Sequence, residues 1–292
     1  MLTSTEPVGL DRLEVFANGL DHAEGIAILE DGTIYVGGEA GQVYRVEEDG
    51  SFEEVGNTGG FSLGLAADAE GSIYVCDNVR KAVVKVDPAS GDVEVFSSGL
   101  PERPMAVPNW GAFDGDGNYY VSDSGDWLAS NGFVWVVRPG RRAEVWSEES
   151  VNFPNGLAVA PDGSRLFVVE SAPTAAIVEI PIGPDGSAGP RRVLCDLGLA
   201  VPDGIAVGSD GSLIVACYRP DVIYRWHPSD GLEILAGDPQ GVVLAAPTNV
   251  AFRGDGLGQM IVPNLGRWHL TRGELGVSGT PLFYPSSSQL EG

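Results

Sequence analysis

Short apolar runs alternate with polar turns along the whole chain, and one arrangement of the two recurs. A residue followed by glycine opens an apolar run; a carboxylate–glycine turn and a second apolar run follow. The copies open at Glu24-Gly25-Ile26-Ala27, Leu63-Gly64-Leu65-Ala66, Trp110-Gly111-Ala112-Phe113, Asn155-Gly156-Leu157-Ala158 and Asp203-Gly204-Ile205-Ala206. A sixth, Asn249-Val250-Ala251-Phe252, has valine in the glycine's place. Their turns are Asp31-Gly32, Glu70-Gly71, Asp116-Gly117, Asp162-Gly163, Asp210-Gly211 and Asp255-Gly256. The opening residues are spaced 39, 47, 45, 48 and 46 apart. Each of the first five units adds two more runs rich in β-branched and aromatic residues, such as QVYRV then FEEV, or VIYRW then LEILAG. Runs of this composition bounded by Gly and Asp read as strands. Four antiparallel strands in a unit of about 45 residues make a propeller blade, so six units predict an all-β, six-bladed propeller.

The chain ends fit a closed ring. After His269-Leu270-Thr271-Arg272 the sixth unit shows no clear fourth strand, whereas LEVFANGL (13–20) resembles the fourth strand VEVFSSGL (93–100). The N-terminal strand is therefore expected to complete the last blade, which removes an open sheet edge. The expected organisation is one propeller over 1–285 and a flexible C-terminal tail over 286–292.

Composition agrees with a packed β protein. Hydrophobic residues make up 43% of the 292, and the 41 glycines and 20 prolines are spread along the chain as many short strands require. The net charge of −24 argues against nucleic acid or an anionic membrane as partner and suits a cation binder. No apolar run reaches the roughly 18–20 residues that span a bilayer. The first 16 residues lack a basic segment followed by an apolar one, so no signal peptide is expected. Cys76, Cys195 and Cys217 are odd in number and widely spaced, which excludes a disulfide framework or zinc ribbon. A cytoplasmic protein is expected.

In a propeller the innermost strands line a central channel, and the residue before each strand sits at one mouth. Those residues are Glu24, Leu63, Trp110, Asn155, Asp203 and Asn249, with Asn109 one position earlier in blade 3. Carboxylate and amide oxygens converging on an axis suit a hard divalent cation: calcium first, with magnesium, manganese or zinc as alternatives. Asp and Asn also cap turns, but Leu63 at the same position shows that the fold does not demand a polar residue there. Connections between second and third strands share the mouth face. The longest, 122–132, carries Asp123, Asp126, Trp127 and Asn131, and blade 6 adds Asn264, Arg267 and Trp268. Trp110, Trp127 and Trp268 could wall an apolar pocket or pack between sheets. His22 lies near the mouth; His227 belongs to the opposite face. The match of 60–64 to G-x-S-x-G lacks the helix a nucleophile elbow needs. The Asp114-Gly115-Asp116 run falls at a hairpin turn, where turn chemistry explains it.

Four motifs, AEGIA (23–27), PNWGAFDGDG (108–117), FPNGLAVAPDG (153–163) and VPDGIAVGSDG (201–211), resemble the SMP-30/gluconolactonase/luciferin-regenerating-enzyme family, as does the late stretch 262–285. The resemblance implies a six-bladed propeller with one divalent metal in the channel and, for many members, lactone hydrolysis. It implies Glu24, Asn155 and Asp203 as metal ligands and Asn109 as a polar residue beside metal or substrate. Sugar-lactonase members often carry Arg-x-Asn-Asp in blade 3; here Val107 and Trp110 stand in place of the Arg and the Asp. The expected function is metal-dependent hydrolysis of a lactone less polar than a sugar lactone. Asp203 and Asn109 are the expected catalytic residues, and Asn109, Trp110, Val107, Trp127 and His22 the substrate contacts. The partner is a small lactone or ester, with neither nucleic acid nor membrane. Epoxide or ester hydrolysis, a rearrangement on the same scaffold, and a non-catalytic ligand- or protein-binding propeller are the alternatives.

Overall fold

The computed structural model describes residues 6–292; the first five residues of the expected domain and leader reading lie outside them. Six four-stranded antiparallel sheets form the blades. In blades 1 to 5 the strands run in chain order from the channel outward. The innermost strands are Ile26–Ile28, Ser62–Ala67, Pro108–Phe113, Pro154–Val159 and Val201–Val207. Blade 6 is composite: Ala251–Arg253 is innermost, Gln259–Asn264 and His269–Gly273 follow, and the N-terminal Leu13–Asn18 pairs antiparallel with His269–Gly273. The expected closure is thus present, and the first and last segments of the propeller are zipped together.

Burial explains the sequence pattern. Neighbouring blades pack on both faces, so second strands such as Ile73–Asp77 and Tyr119–Asp123 are buried at every position. Fourth strands lie at the periphery and keep polar residues exposed, as in Phe52–Asn57. Fully buried Tyr74, Tyr119, Tyr120, Trp135 and Tyr224 fill the spaces between the sheets. Burial at this density is the main force holding the ring together.

The channel itself is apolar. Ala27, Ala66, Ala112, Ala158, Ala206 and Ala251, one per blade, ring a cavity of about 110 Å³. Its far end is crossed by a C-terminal strap that runs over the hairpin-turn face. Gly279 bridges Gly208 in blade 5, Tyr284 Oη donates to Ile28 O in blade 1 (2.6 Å), and Ala69 N in blade 2 donates to Pro285 O (3.1 Å). Leu282, Phe283 and Tyr284 line the cavity floor.

The C-terminus differs from the expected flexible tail. Ser287–Glu291 form a helical turn with a capping box: Ser286 accepts from Gln289 N, and the Gln289 side chain accepts from Ser286 N. Leu290 is buried with Phe96, Tyr119 and Trp135, and Gln289 Nε2 donates to Gly115 O (3.1 Å). A single apolar side chain with a prepared pocket turns a Ser-rich end into a docked one. No helix among the described residues is long and apolar enough to cross a membrane.

Candidate functional site

The inner strands share a register that counts from the channel alanines. Three residues before Ala27, Ala66, Ala112, Ala158, Ala206 and Ala251 stand Glu24, Leu63, Asn109, Asn155, Asp203 and Thr248. These six form the ring at the mouth. Pro108, Pro154 and Pro202 pair with Asp123, Glu170 and Cys217, and a register shift follows each of them, so that Asn109, Asn155 and Asp203 are left out of the ladder. In blade 6 Pro247 bridges Asn264, which makes Thr248 the counterpart.

This register corrects two of the expected mouth positions. Trp110 and Asn249 lie one residue further in, at the place that Gly156 and Gly204 occupy in blades 4 and 5. That place is crowded: a Cβ on Gly156 would strike Asp203 O, and one on Gly204 would strike Asn249. In blade 3 the indole of Trp110 instead leaves the axis. It is 6% exposed and packs with Tyr120, Val134, Trp146 and Leu157. Trp110 is therefore a core residue that also borders the apolar channel, not a wall of the mouth. Asn249 Oδ1 accepts from Val250 N.

Three mouth residues from blades 1, 4 and 5 converge electrostatically. Burial pushes the Glu24 carboxyl well above its ordinary range, and the negative charges of Asp203 and then Glu39 push it further. Burial raises Asp203 to about 8, opposed by a hydrogen bond from Asn155. Half-buried Glu24 thus holds its proton more tightly in the field of the buried Asp203, an arrangement that a bound cation would relieve.

Asn109 and Asn155 are the other polar members, and both are held in one orientation. Asn109 Nδ2 donates to Ser124 Oγ (2.9 Å), which donates to Pro154 O (2.8 Å). Asn155 Nδ2 donates to Ser171 Oγ (3.4 Å), which donates to Pro202 O (2.6 Å). The two Oδ1 atoms are buried with no hydrogen-bond partner. Buried polar oxygens are rarely left so, and an ordered water or an ion is the ordinary partner. Two carboxylates and two amide oxygens form an all-oxygen donor set that fits a hard divalent cation. Thr248 turns away, donating to Glu24 O (2.9 Å) and joining blade 6 to blade 1.

Sequence reasoning missed Ser124 and Ser171. The signal is an acid–serine pair closing the second strand, Asp123-Ser124 and Glu170-Ser171, in the two blades whose mouth residue is asparagine. The acids have a separate task. Asp123 accepts from Ala106 N and Val107 N (2.8 Å each) and from Trp135 Nε1 (3.1 Å), anchoring the loop that delivers Asn109. Asp123 is thereby a support rather than a pocket wall, as is Asn264, which accepts from Ala245 N (2.7 Å).

At the rim, Val107 is half-buried with its backbone tied to Asp123. Trp127 is 49% exposed and stands edge-on to Phe153, ring centres 4.8 Å apart. His22 Nδ1 lies 2.9 Å from Asp21 and 2.7 Å from Glu39, and its ring meets Trp268 at 4.8 Å. His22 therefore belongs to a rim cluster beside Glu24. His227 bonds Ser229 and Asp210 O at the opposite face, and His269 is buried on Val243 O.

Comparison with known proteins places these features. Residues 14–264 match the family model described as SMP-30/gluconolactonase/LRE-like region. A gluconolactonase of Zymomonas mobilis is 28% identical over 212 residues, which is 65% of this chain and 57% of that protein's length. The gluconolactonase XC5397 of Xanthomonas campestris superposes with a TM-score of 0.77 at 19% identity, over 95% of this chain and 96% of that one. Regucalcin of Agrobacterium tumefaciens, a calcium-binding protein, superposes with a TM-score of 0.74 at 15% identity, over 93% and 95%. The model match spans most of the chain and includes every mouth residue, so the chain belongs to the SMP-30/gluconolactonase/LRE-like family.

Proposed function

We propose that the protein is a divalent-metal-dependent hydrolase that opens a lactone at the channel mouth. The observation that carries this reading is the pairing of half-buried Glu24, raised by the neighbouring charge of buried Asp203, with the two unpartnered amide oxygens of Asn109 and Asn155. Family membership supplies the reaction class, and the Zymomonas and Xanthomonas relatives are gluconolactonases.

Glu24, Asn155 and Asp203 would hold the cation, calcium being our first choice for an all-oxygen set and the relative regucalcin being a calcium-binding protein. When bound, the cation would supply a Lewis acid toward the lactone carbonyl and lower the pKa of a water. Ser124 would keep Asn109 turned to the axis, where it orients the substrate. Asp203, the more buried carboxylate, would take a proton from the attacking water as its oxygen bonds to the carbonyl carbon. The ring C–O bond then breaks, the proton passes to the leaving ring oxygen, and a hydroxy acid results. Val107 and the Trp127–Phe153 pair at the rim favour a ring less polar than a sugar lactone.

The test is elemental analysis of the purified protein, followed by a lactone and ester panel with and without chelator. Lactone turnover that chelator removes and a divalent salt restores is the expected result. Asp203→Ala should stay folded, lose the ion and turn over at least about a hundredfold more slowly, the scale of losing an electrostatic catalytic group. Leu63→Ala, at the same register, should keep the ion. Full metal occupancy and near-normal turnover in Asp203→Ala would overturn the assignment.

A further inference from the structure

The mouth rim carries more exposed apolar surface than a solvated loop needs. Of the ten large apolar side chains left exposed among the described residues, six lie on loops of the mouth face: Val79, Trp127, Leu128, Leu199, Val242 and Trp268. In a chain of net charge −24 that gathering is selective, and clustered exposed apolar groups mark binding surfaces.

Trp127 and Leu128 are held in place. Their loop is clasped by Asp126 N to Asn131 Oδ1 (2.8 Å) and Asn131 Nδ2 to Asp126 Oδ2 (3.1 Å). Ser130 Oγ donates to Asn152 Oδ1 (2.9 Å), which fixes the loop to the segment leading into blade 4. Leu128 and Ser130 adopt φ of 70° and 47°, a region costly for residues with a Cβ. Phe153 does the same at 53° and meets Trp127 at 75°. Two residues later comes Asn155, whose Oδ1 is unpartnered. Leu128, Trp127 and Phe153 thus place an apolar shelf on the mouth rim, its inner member two residues before a donor asparagine.

We infer that this shelf binds a lipophilic arm, alkyl or aryl, carried by the lactone whose ring sits at the donor oxygens. The inference rests on the hydrolase reading above and adds where the substrate's substituent lies and what selects it. Phe153 stands two residues before Asn155, whose amide oxygen is unpartnered, so a molecule held at the donors has the shelf within reach of a substituent. A methylene fully removed from water is worth about fourfold in affinity, and one laid on a shelf about half of that free energy, near twofold.

The test uses lactones of one ring size bearing unbranched arms of increasing length, and the matching lactams as uncleaved probes. In the metal-supplemented protein, kcat/KM should rise about twofold per added methylene until the shelf is covered, and lactam affinity by calorimetry should rise in parallel. In Trp127→Ser and, separately, Leu128→Ser, both on an exposed loop, the long-arm to short-arm ratio within each variant should collapse. Val193→Ser, an exposed apolar position on an outer strand, should keep the wild-type ratio. A flat wild-type profile with lactones still hydrolysed overturns the shelf and leaves the hydrolase reading standing. Arm-dependent lactam binding that Trp127→Ser removes, with no lactone turned over, upholds the shelf and overturns the hydrolase reading. An arm dependence that survives both loop variants overturns the shelf.

Discussion

An asparagine offers a nitrogen or an oxygen to a ligand according to how its amide is turned, so a mouth residue is only half specified by its identity. In blades 3 and 4 a serine from the adjoining strand accepts from the amide nitrogen, and the amide oxygen is left without a partner in the protein. Partners of this sort usually change metal affinity by 10–100-fold when removed. Ser171→Ala should therefore weaken cation binding by roughly tenfold or more, measured by titration of the metal-free protein, and cost about 1–3 kcal/mol of stability through the buried Pro202 carbonyl it leaves unpaired. The carboxylates supply a pH prediction. In the metal-free protein burial raises both Glu24 and Asp203, so the folded state holds protons that the unfolded chain releases near pH 4. The stability they contribute is complete below about pH 4 and is lost as pH climbs through about 8, where Asp203 titrates. Thermal melts in chelator should fall across that window. Asp203→Asn should flatten the fall, and a saturating divalent cation should offset it.

The inner strand is the element on which sequence and structure part. Blade number, strand order and ring closure are legible because each depends on alternation and turn residues, which repeat. Register at the mouth is less legible. Glycine is the visible landmark, and in blade 3 Gly111 follows Trp110 just as Gly156 follows Asn155. Aligning the two places Trp110 at the mouth, one position out. The glycine of blades 4 and 5 is required by the close approach of the next inner strand. In blade 3 a tryptophan takes that place by sending its ring between sheets, and Gly111 instead makes room for Tyr119. Counting from the alanines, which must stay small to leave the channel open, recovers the right register. The serines behind Asn109 and Asn155 are invisible to a search for ligands because they touch none. Trp110→Ala should thus act on stability, lowering it by about 3–5 kcal/mol in denaturant unfolding, while cation affinity per folded molecule stays near wild type.

At the scale of the molecule, the C-terminal segment does what no blade does. It runs across blades 5, 1, 2 and 3, and its last turn inserts Leu290 among the aromatic residues of the second and third blades. Leu290→Ala should cost about 2 kcal/mol by denaturant unfolding, the low end for a buried leucine because the site is near the surface. The same segment floors the channel, and this sets the traffic of ligands. A propeller open at both ends could admit reactant at one face and discharge product at the other. Here the C-terminal segment lies across the far end of the passage, which leaves the mouth as the route open to ligands at the donor ring. Product inhibition should accordingly be competitive in steady-state kinetics, because product at the donor ring and incoming lactone occupy the same place.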